Sequence, residues 1–267
     1  MEETLQIIAS TNCDAEDGVA AVNTGELFEQ WSDGVSECRT WDMRTVITKL
    51  GITWEEEEED PEDQFQFPWF SERHDPETRY DPWSAEGQAL LETESTERLQ
   101  LMWHQAVGVY RILSNLFEHK QMLVMDEVGV GKTIQAIGSI AMYRSLQLLF
   151  EGNKTYPESF GKWLCTDFCG LADFGTAKLE YGSHVLPVRP HLVVVPPGLV
   201  SQWTQECHRY LKKGSFDILP YTGTCTEANR VSFWELYKRR TENTAACSNV
   251  IIIASSTVRL NTVLRPR

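Results

Sequence analysis

The sequence predicts an α/β domain with a mostly parallel sheet, preceded by a largely irregular acidic segment. Three observations predict it. Beyond about residue 98, apolar runs of strand length alternate with segments of helical periodicity. A glycine turn ending Gly131-Lys132-Thr133 stands between one such run and one such helix. Charge is also divided unevenly along the chain.

The chain of 267 residues carries a formal net charge of −15. Residues 1–100 hold 26 acidic and 6 basic side chains, a balance of −20, while the remainder holds 13 and 18, a balance of +5. The overall acidity therefore does not exclude nucleic acid as a partner of the second part. A hydrophobic content of 42% suffices for a buried core. No run approaches the ~18–20 apolar residues of a membrane helix. The acidic start Met1-Glu2-Glu3-Thr4-Leu5 has no basic n-region, which argues against a secretory signal. Seven scattered cysteines, an odd number, fit reduced intracellular thiols better than a disulfide framework.

Residues 1–98 form the first expected unit. Asp14, Glu16, Asp17 and the run Glu55 to Asp60 repel one another, and Pro61, Pro68, Pro76 and Pro82 interrupt any long helix. Aromatic residues are nevertheless frequent, among them Trp31, Trp41, Trp54, Phe65, Phe67, Trp69, Phe70, Tyr80 and Trp83. A purely solvated tail would hold fewer. The expectation is a loose leader with some aromatics packed on the following domain. A protein-binding motif and a self-docked strap are the alternatives.

Residues 99–267 form the second expected unit. Leu99, Leu101, Met102, Val109, Ile112, Leu113, Leu116 and Phe117 recur at mostly helical spacing. The run Met122 to Met125 suits a buried strand, and the glycine turn follows at 126–131. Thr133 to Leu149 reads as a helix with Ile134, Ile137, Ile140, Ala141 and Leu148 on its apolar side. Residues 143–190 contain a loop-like insertion. Strands are expected at His191–Val195, Phe216–Leu219 and Val250–Ala254, and helices at Leu199–Leu211 and Ala228–Arg239.

The segment Asp126-Glu127-Val128-Gly129-Val130-Gly131-Lys132-Thr133 carries the chemistry. Glycines at 129 and 131 let the backbone turn tightly and aim N–H groups at phosphate oxygens. The helix that follows adds the positive end of its dipole. Lys132 can reach β and γ phosphates, and the Thr133 hydroxyl can ligate Mg²⁺. A strict phosphate-loop pattern has glycine where this chain has Asp126. The strand-before, helix-after context supports the assignment all the same.

Asp-Glu-x-Gly-x-Gly-Lys-Thr continuing as Ile134-Gln135-Ala136-Ile137 resembles motif I of the SWI/SNF-like ATPases of helicase superfamily 2, in which an aspartate at the first position is normal. Leu101-Met102-Trp103-His104-Gln105-Ala106-Val107-Gly108-Val109 resembles the family's Q motif. The resemblance implies that Gln105 reads the adenine edge, for which its amide offers a donor and an acceptor. His191 to Trp203, with Pro196-Pro197-Gly198-Leu199-Val200-Ser201 at its centre, resembles motif Ia. This implies DNA-backbone contacts at Pro197, Gly198 and Ser201, where a helix N-terminus offers free N–H groups. Trp203 itself is expected in the core. Phe216 to Gly223 resembles the next family strand and its Tyr-x-Gly turn. Ser255-Ser256-Thr257 stands where the family has Thr-Thr-Tyr, with both threonines and the tyrosine replaced.

The resemblance covers about residues 99–142 and 190–260. It implies an incomplete RecA-like lobe, ATP and Mg²⁺ as ligands, duplex DNA as partner of the parent protein, and a nuclear location. Arg267 comes before any Asp-Glu-x-His motif II or second lobe with its arginine finger. The family's hydrolysis uses both. This chain is therefore expected to contain no catalytic residue of its own, to bind ATP·Mg²⁺ without turnover, and to be a fragment or a degenerate copy of a larger ATPase. Two other readings remain. One is a dead remnant acting as a protein-interaction module through residues 1–98; the other is an unrelated phosphate-loop enzyme such as a small kinase, for which no acidic base or lid is found. Asp173-Phe174-Gly175 mimics a kinase magnesium motif without its companions. Cys165, Cys169 and His184 lack the four closely paired ligands of a zinc site. Lys238-Arg239-Arg240 reads as a solvated basic helix end.

Overall fold

The computed structural model describes residues 34–53, 65–77, 79–118, 120–151, 157, 159–160, 189–222, 227–241 and 249–256. The chain divides into two compact units, Met1–Ser36 and Glu37–Arg267. The elements below belong to the second. The acidic run at 55–60, Cys165, Cys169, Asp173-Phe174-Gly175, His184, Gly223 and Thr257 lie outside the described residues.

Order begins earlier than the hydrophobic spacing suggests. Helix α1 spans Met43–Leu50. Asp42 caps it, its Oδ1 accepting from the Thr45 N–H at 2.7 Å, and hydrogen bonds from the Thr45 side chain and then its backbone hold the Asp42 carboxyl below the usual carboxylate range. Gly51, at φ 79°, ends the helix in the left-handed conformation. Val46, Ile47 and Leu50 are fully buried. Strand β1 (Arg73–His74) pairs antiparallel with β2 (Glu97–Arg98), and between them helix α2 (Ala85–Leu91) starts at Ser84, whose Oγ accepts from the Gly87 N–H.

Aromatic anchors tie this region to the domain, as the sequence suggests for part of the leader. Phe65, Phe67 and Phe70 are buried. The Trp69 indole donates to Ser145 Oγ at 2.9 Å, and the backbone around it exchanges hydrogen bonds with Tyr210 and Lys212.

Helix α3 (Trp103–Phe117) packs on helix α4 (Lys132–Glu151). Met102 is the N-cap residue and is exposed, whereas Leu99 and Leu101 are buried in the extended chain before the helix. Leu116 is exposed. The long α4 is enclosed on several sides: Ile134, Gln135, Ile137, Ala141, Met142, Arg144, Leu146 and Gln147 are all buried. Leu148, expected on the apolar side, is exposed instead.

Strands β3 (His191–Val195), β4 (Asp217–Tyr221) and β5 (Val250–Ser255) form a parallel sheet in the order β3-β5-β4. Central β5 is buried throughout, as a parallel strand covered on both faces must be. Helix α5 (Val200–Tyr210) follows a 3-10 turn at Pro197–Leu199 and packs on β4 and β5. Phe233, Leu236 and Tyr237 of helix α6 (Glu227–Thr241) pack on Leu219, Tyr221, Val250, Ile252 and Ala254. Lys238, Arg239 and Arg240 end α6 on its exposed surface. These elements make an α/β architecture consistent with a RecA-like lobe.

Two expectations are corrected. Met122 to Met125 is neither a strand nor buried: Leu123 is 69% and Met125 65% exposed. A strand needs a hydrogen-bonded neighbour, and among the described residues none pairs with this run. Trp203 is only half-buried, because the inward positions of α5 go to Val200 and Cys207.

Candidate functional site

The turn expected to bind phosphate joins the exposed run 122–125 to the first residue of α4. Gly129 has φ 92° and Gly131 φ 89°, a region that L side chains rarely enter. A Cβ on Gly129 would meet nothing within 4 Å, whereas one on Gly131 would lie 2.5 Å from Gln105 Nε2. The first glycine is thus required by backbone shape alone, and the second also by the close approach of α3.

Lys132 opens α4, and its ammonium group folds back over the loop, donating to the carbonyls of Asp126 at 2.8 Å and Glu127 at 2.7 Å. A cation is thereby held at a helix N-terminus beside two glycines whose backbone is free to aim N–H groups. Asp126, Glu127 and Val128 are exposed, Val128 completely so at 99%. Thr133 is half-buried in the first turn of α4. This donor set fits an anion. Among the described residues, no cluster of three His, Cys, Asp or Glu side chains could hold a metal ion by itself. A Mg²⁺ ion at Thr133 would therefore have to share phosphate oxygens.

Helix α3 meets the loop from the other side. Gln105 Nε2 donates to the Val130 carbonyl at 3.4 Å, while its Oε1 accepts from the Met102 N–H at 3.0 Å and closes the first turn of α3. The structure thus brings Gln105 and residues 126–133 together. Two further residues of the same motif-like stretches, given no role from the sequence, also touch the loop. His104 Nε2 lies 3.0 Å from the Val130 carbonyl, and Gln135 Nε2 donates to Asp126 Oδ2 at 3.0 Å. Gln135 lies beside the apolar stripe Ile134-x-x-Ile137-Gly138-x-x-Ala141 and not on it, so its burial follows from the enclosure of α4 on several sides.

Pro197, Gly198 and Ser201 lie on a different element, the turn between β3 and α5, and all three are exposed. Ser201, Thr204, Gln205 and His208 line a cleft of about 480 Å³ whose far wall is Arg79 to Pro82. No helix among the described residues is long and apolar enough to cross a membrane.

A family model described as the SNF2-related domain matches residues 50–265. The match extends across residue 98 and takes in the glycine turn, all three parallel strands and the packed segment from Phe65 onward. No curated protein matches the chain.

Proposed function

The chain belongs to the SNF2-related domain family, and from that premise we propose that residues 126–133 bind the phosphates of ATP·Mg²⁺ as part of a SWI/SNF-like, DNA-dependent ATPase. The observation that carries this reading is the position of Lys132, at the N-terminus of α4 with its ammonium group folded over the loop onto the Asp126 and Glu127 carbonyls. Its two present partners are neutral carbonyls. Phosphate oxygens are charged acceptors and make stronger hydrogen bonds, so a nucleotide would draw the ammonium group off the loop.

Each residue then has a defined task. Gly129 and Gly131 hold the loop in a shape that only glycine adopts readily, and their N–H groups face the phosphates. Lys132 neutralises the β and γ phosphates. Thr133 supplies a hydroxyl to Mg²⁺, which when bound would screen phosphate charge. Gln105, already against the loop, reads the adenine edge. Pro197, Gly198 and Ser201 offer backbone and hydroxyl donors to a DNA phosphate at the start of α5. The acidic leader does not oppose this, since charge balance beyond residue 100 is +5.

Equilibrium titration with a fluorescent ATP analogue in Mg²⁺ tests the reading. Lys132→Ala should weaken binding by at least about 30-fold, since a charge-assisted contact is lost. Unchanged affinity would remove the phosphate-loop assignment.

A further inference from the structure

Gln135 is a buried polar residue next to the loop that the proposed phosphate chemistry leaves without a task. It is 1% exposed, and both its ends are committed. Its backbone N–H donates to the Gly131 carbonyl at 3.1 Å, and its Nε2 donates to Asp126 Oδ2 at 3.0 Å. A carboxylate only accepts, so the amide nitrogen must face Asp126 and the amide oxygen must face away. That oxygen lies against Gly108 of α3, where an added Cβ would sit 2.2 Å from it. Asp126 in turn presents its main-chain carbonyl to Lys132 Nζ at 2.8 Å. A continuous series of contacts therefore runs from Gly108 through Gln135 and Asp126 to Lys132.

We infer that Gln135 is a positioning residue: its amide, backed by Gly108, fixes the Asp126 carboxylate and so presets the loop and Lys132 for phosphate. The inference rests on the reading of residues 126–133 as a phosphate loop and deepens it. It also gives Asp126 a physical reason. Glycine at this position would leave a buried amide donor unpaired, whereas aspartate satisfies it. The contact reaches from the enclosed body of α4 to an exposed turn, so it anchors a part of the chain that has little packing of its own.

The test is hydrogen–deuterium exchange of the full chain, followed at the amides of residues 127–131 and, as an internal reference, of residues 137–147. Asp126 is exposed, so Asp126→Ala removes the acceptor without touching the core. It should speed loop exchange about tenfold, the effect of losing one charge-assisted hydrogen bond. Gln135→Glu should do the same by placing two carboxylates together. The pair Gln135→Glu with Asp126→Asn exchanges donor and acceptor and should restore loop exchange to within about threefold of the starting protein, because the hydrogen bond re-forms with its direction reversed. The α4 reference should stay within about twofold throughout, since local opening is separable from global unfolding. Loop exchange unaltered in Asp126→Ala overturns the inference, and so does a double variant as loose as Gln135→Glu alone. The measurement uses no nucleotide, so its outcome is independent of whether Lys132 binds ATP.

Discussion

The indole of Trp83 lies flat on the imidazole of His208, with ring centroids 4.2 Å apart and planes 16° from parallel, while its N–H donates to the Leu211 carbonyl at 2.9 Å. His208 Nδ1 also lies 3.2 Å from Asp81 Oδ1. These contacts hold residues 81–83 against the last turns of α5 and form the wall of the cleft facing Ser201. Trp83→Ala should destabilise the domain by about 2–3 kcal/mol, less than a fully buried tryptophan because Trp83 is only half-buried. Trp83→Phe keeps a ring on His208 and should cost about 1 kcal/mol for the lost hydrogen bond. Urea denaturation of the two variants gives both numbers. Equal losses would mean that stacking contributes nothing.

The two loop glycines should respond differently to alanine. At Gly129 the added methyl meets open space, so only the positive φ opposes it, at roughly 1–2 kcal/mol. At Gly131 the same backbone cost is joined by a 2.5 Å contact with Gln105 Nε2. Gly131→Ala should therefore displace Gln105 and lower nucleotide affinity further than Gly129→Ala does. Titration with the fluorescent ATP analogue checks the order, and a reversed order would count against the close approach of α3.

Much of this arrangement is legible in the sequence, for reasons that can be named. His191–Val195 and Val250–Ser255 are apolar runs bounded by turn residues, and the amphipathic periodicity of α5 is a local property of the chain. Met122 to Met125 is equally apolar yet makes no strand, because strand formation depends on a hydrogen-bonded partner that composition does not specify. The ordered pieces before residue 98 were hidden for a related reason. Trp69 finds its partner at Ser145, Trp83 at His208, and Ser71 at Tyr210, all distant in sequence. The motif-like stretches contain Lys132, Gln105 and Gln135 alike, but only the fold brings Gln105 against the glycine turn and the buried Gln135 amide against Asp126.

Alkaline pH should weaken the domain. Burial pushes the Cys207 thiol up to about 12 from 9.0, and the hydroxyls of Tyr143 and Tyr210 up to about 12 from 10.0. The unfolded chain loses these protons first. Between the unfolded and folded values it binds fewer protons than the native state, so stability falls as pH rises. The stabilising protons are fully present below about pH 9, and the decline begins there with Cys207, at up to about 1.4 kcal/mol per pH unit for each such group. Cys207→Ala should make the decline between about pH 9 and 10 shallower without abolishing it, because burial also raises the Cys38 thiol from 9.0, and the tyrosines add to it above about pH 10. Urea midpoints from pH 7 to 10.5 would show this, and a flat profile would contradict the burial of these groups. At pH 8 the Cys207 thiol should resist iodoacetamide in the native protein and react on unfolding.

Gln105 offers the sharpest test of nucleotide selectivity, because its side chain is already shared between two duties. Its oxygen closes the first turn of α3 through Met102 at 3.0 Å, and its nitrogen makes only a long contact, 3.4 Å, to Val130. The nitrogen is the end that a ligand can recruit at little cost. An adenine edge that engages the amide would need the donor released from Val130, and guanine presents an acceptor where adenine presents its amino group. Gln105→Ala removes the helix closure and the base contact together, whereas Gln105→Glu keeps an acceptor for Met102 and removes the donor. If Gln105 reads the base, both variants should lose the preference for ATP over GTP, by about tenfold for one hydrogen bond. If it serves only as a cap, Gln105→Ala should weaken ATP and GTP alike and Gln105→Glu should change neither. Paired titrations with the two nucleotides separate these cases, and the position of the amide against the glycine turn leads us to expect the loss of preference.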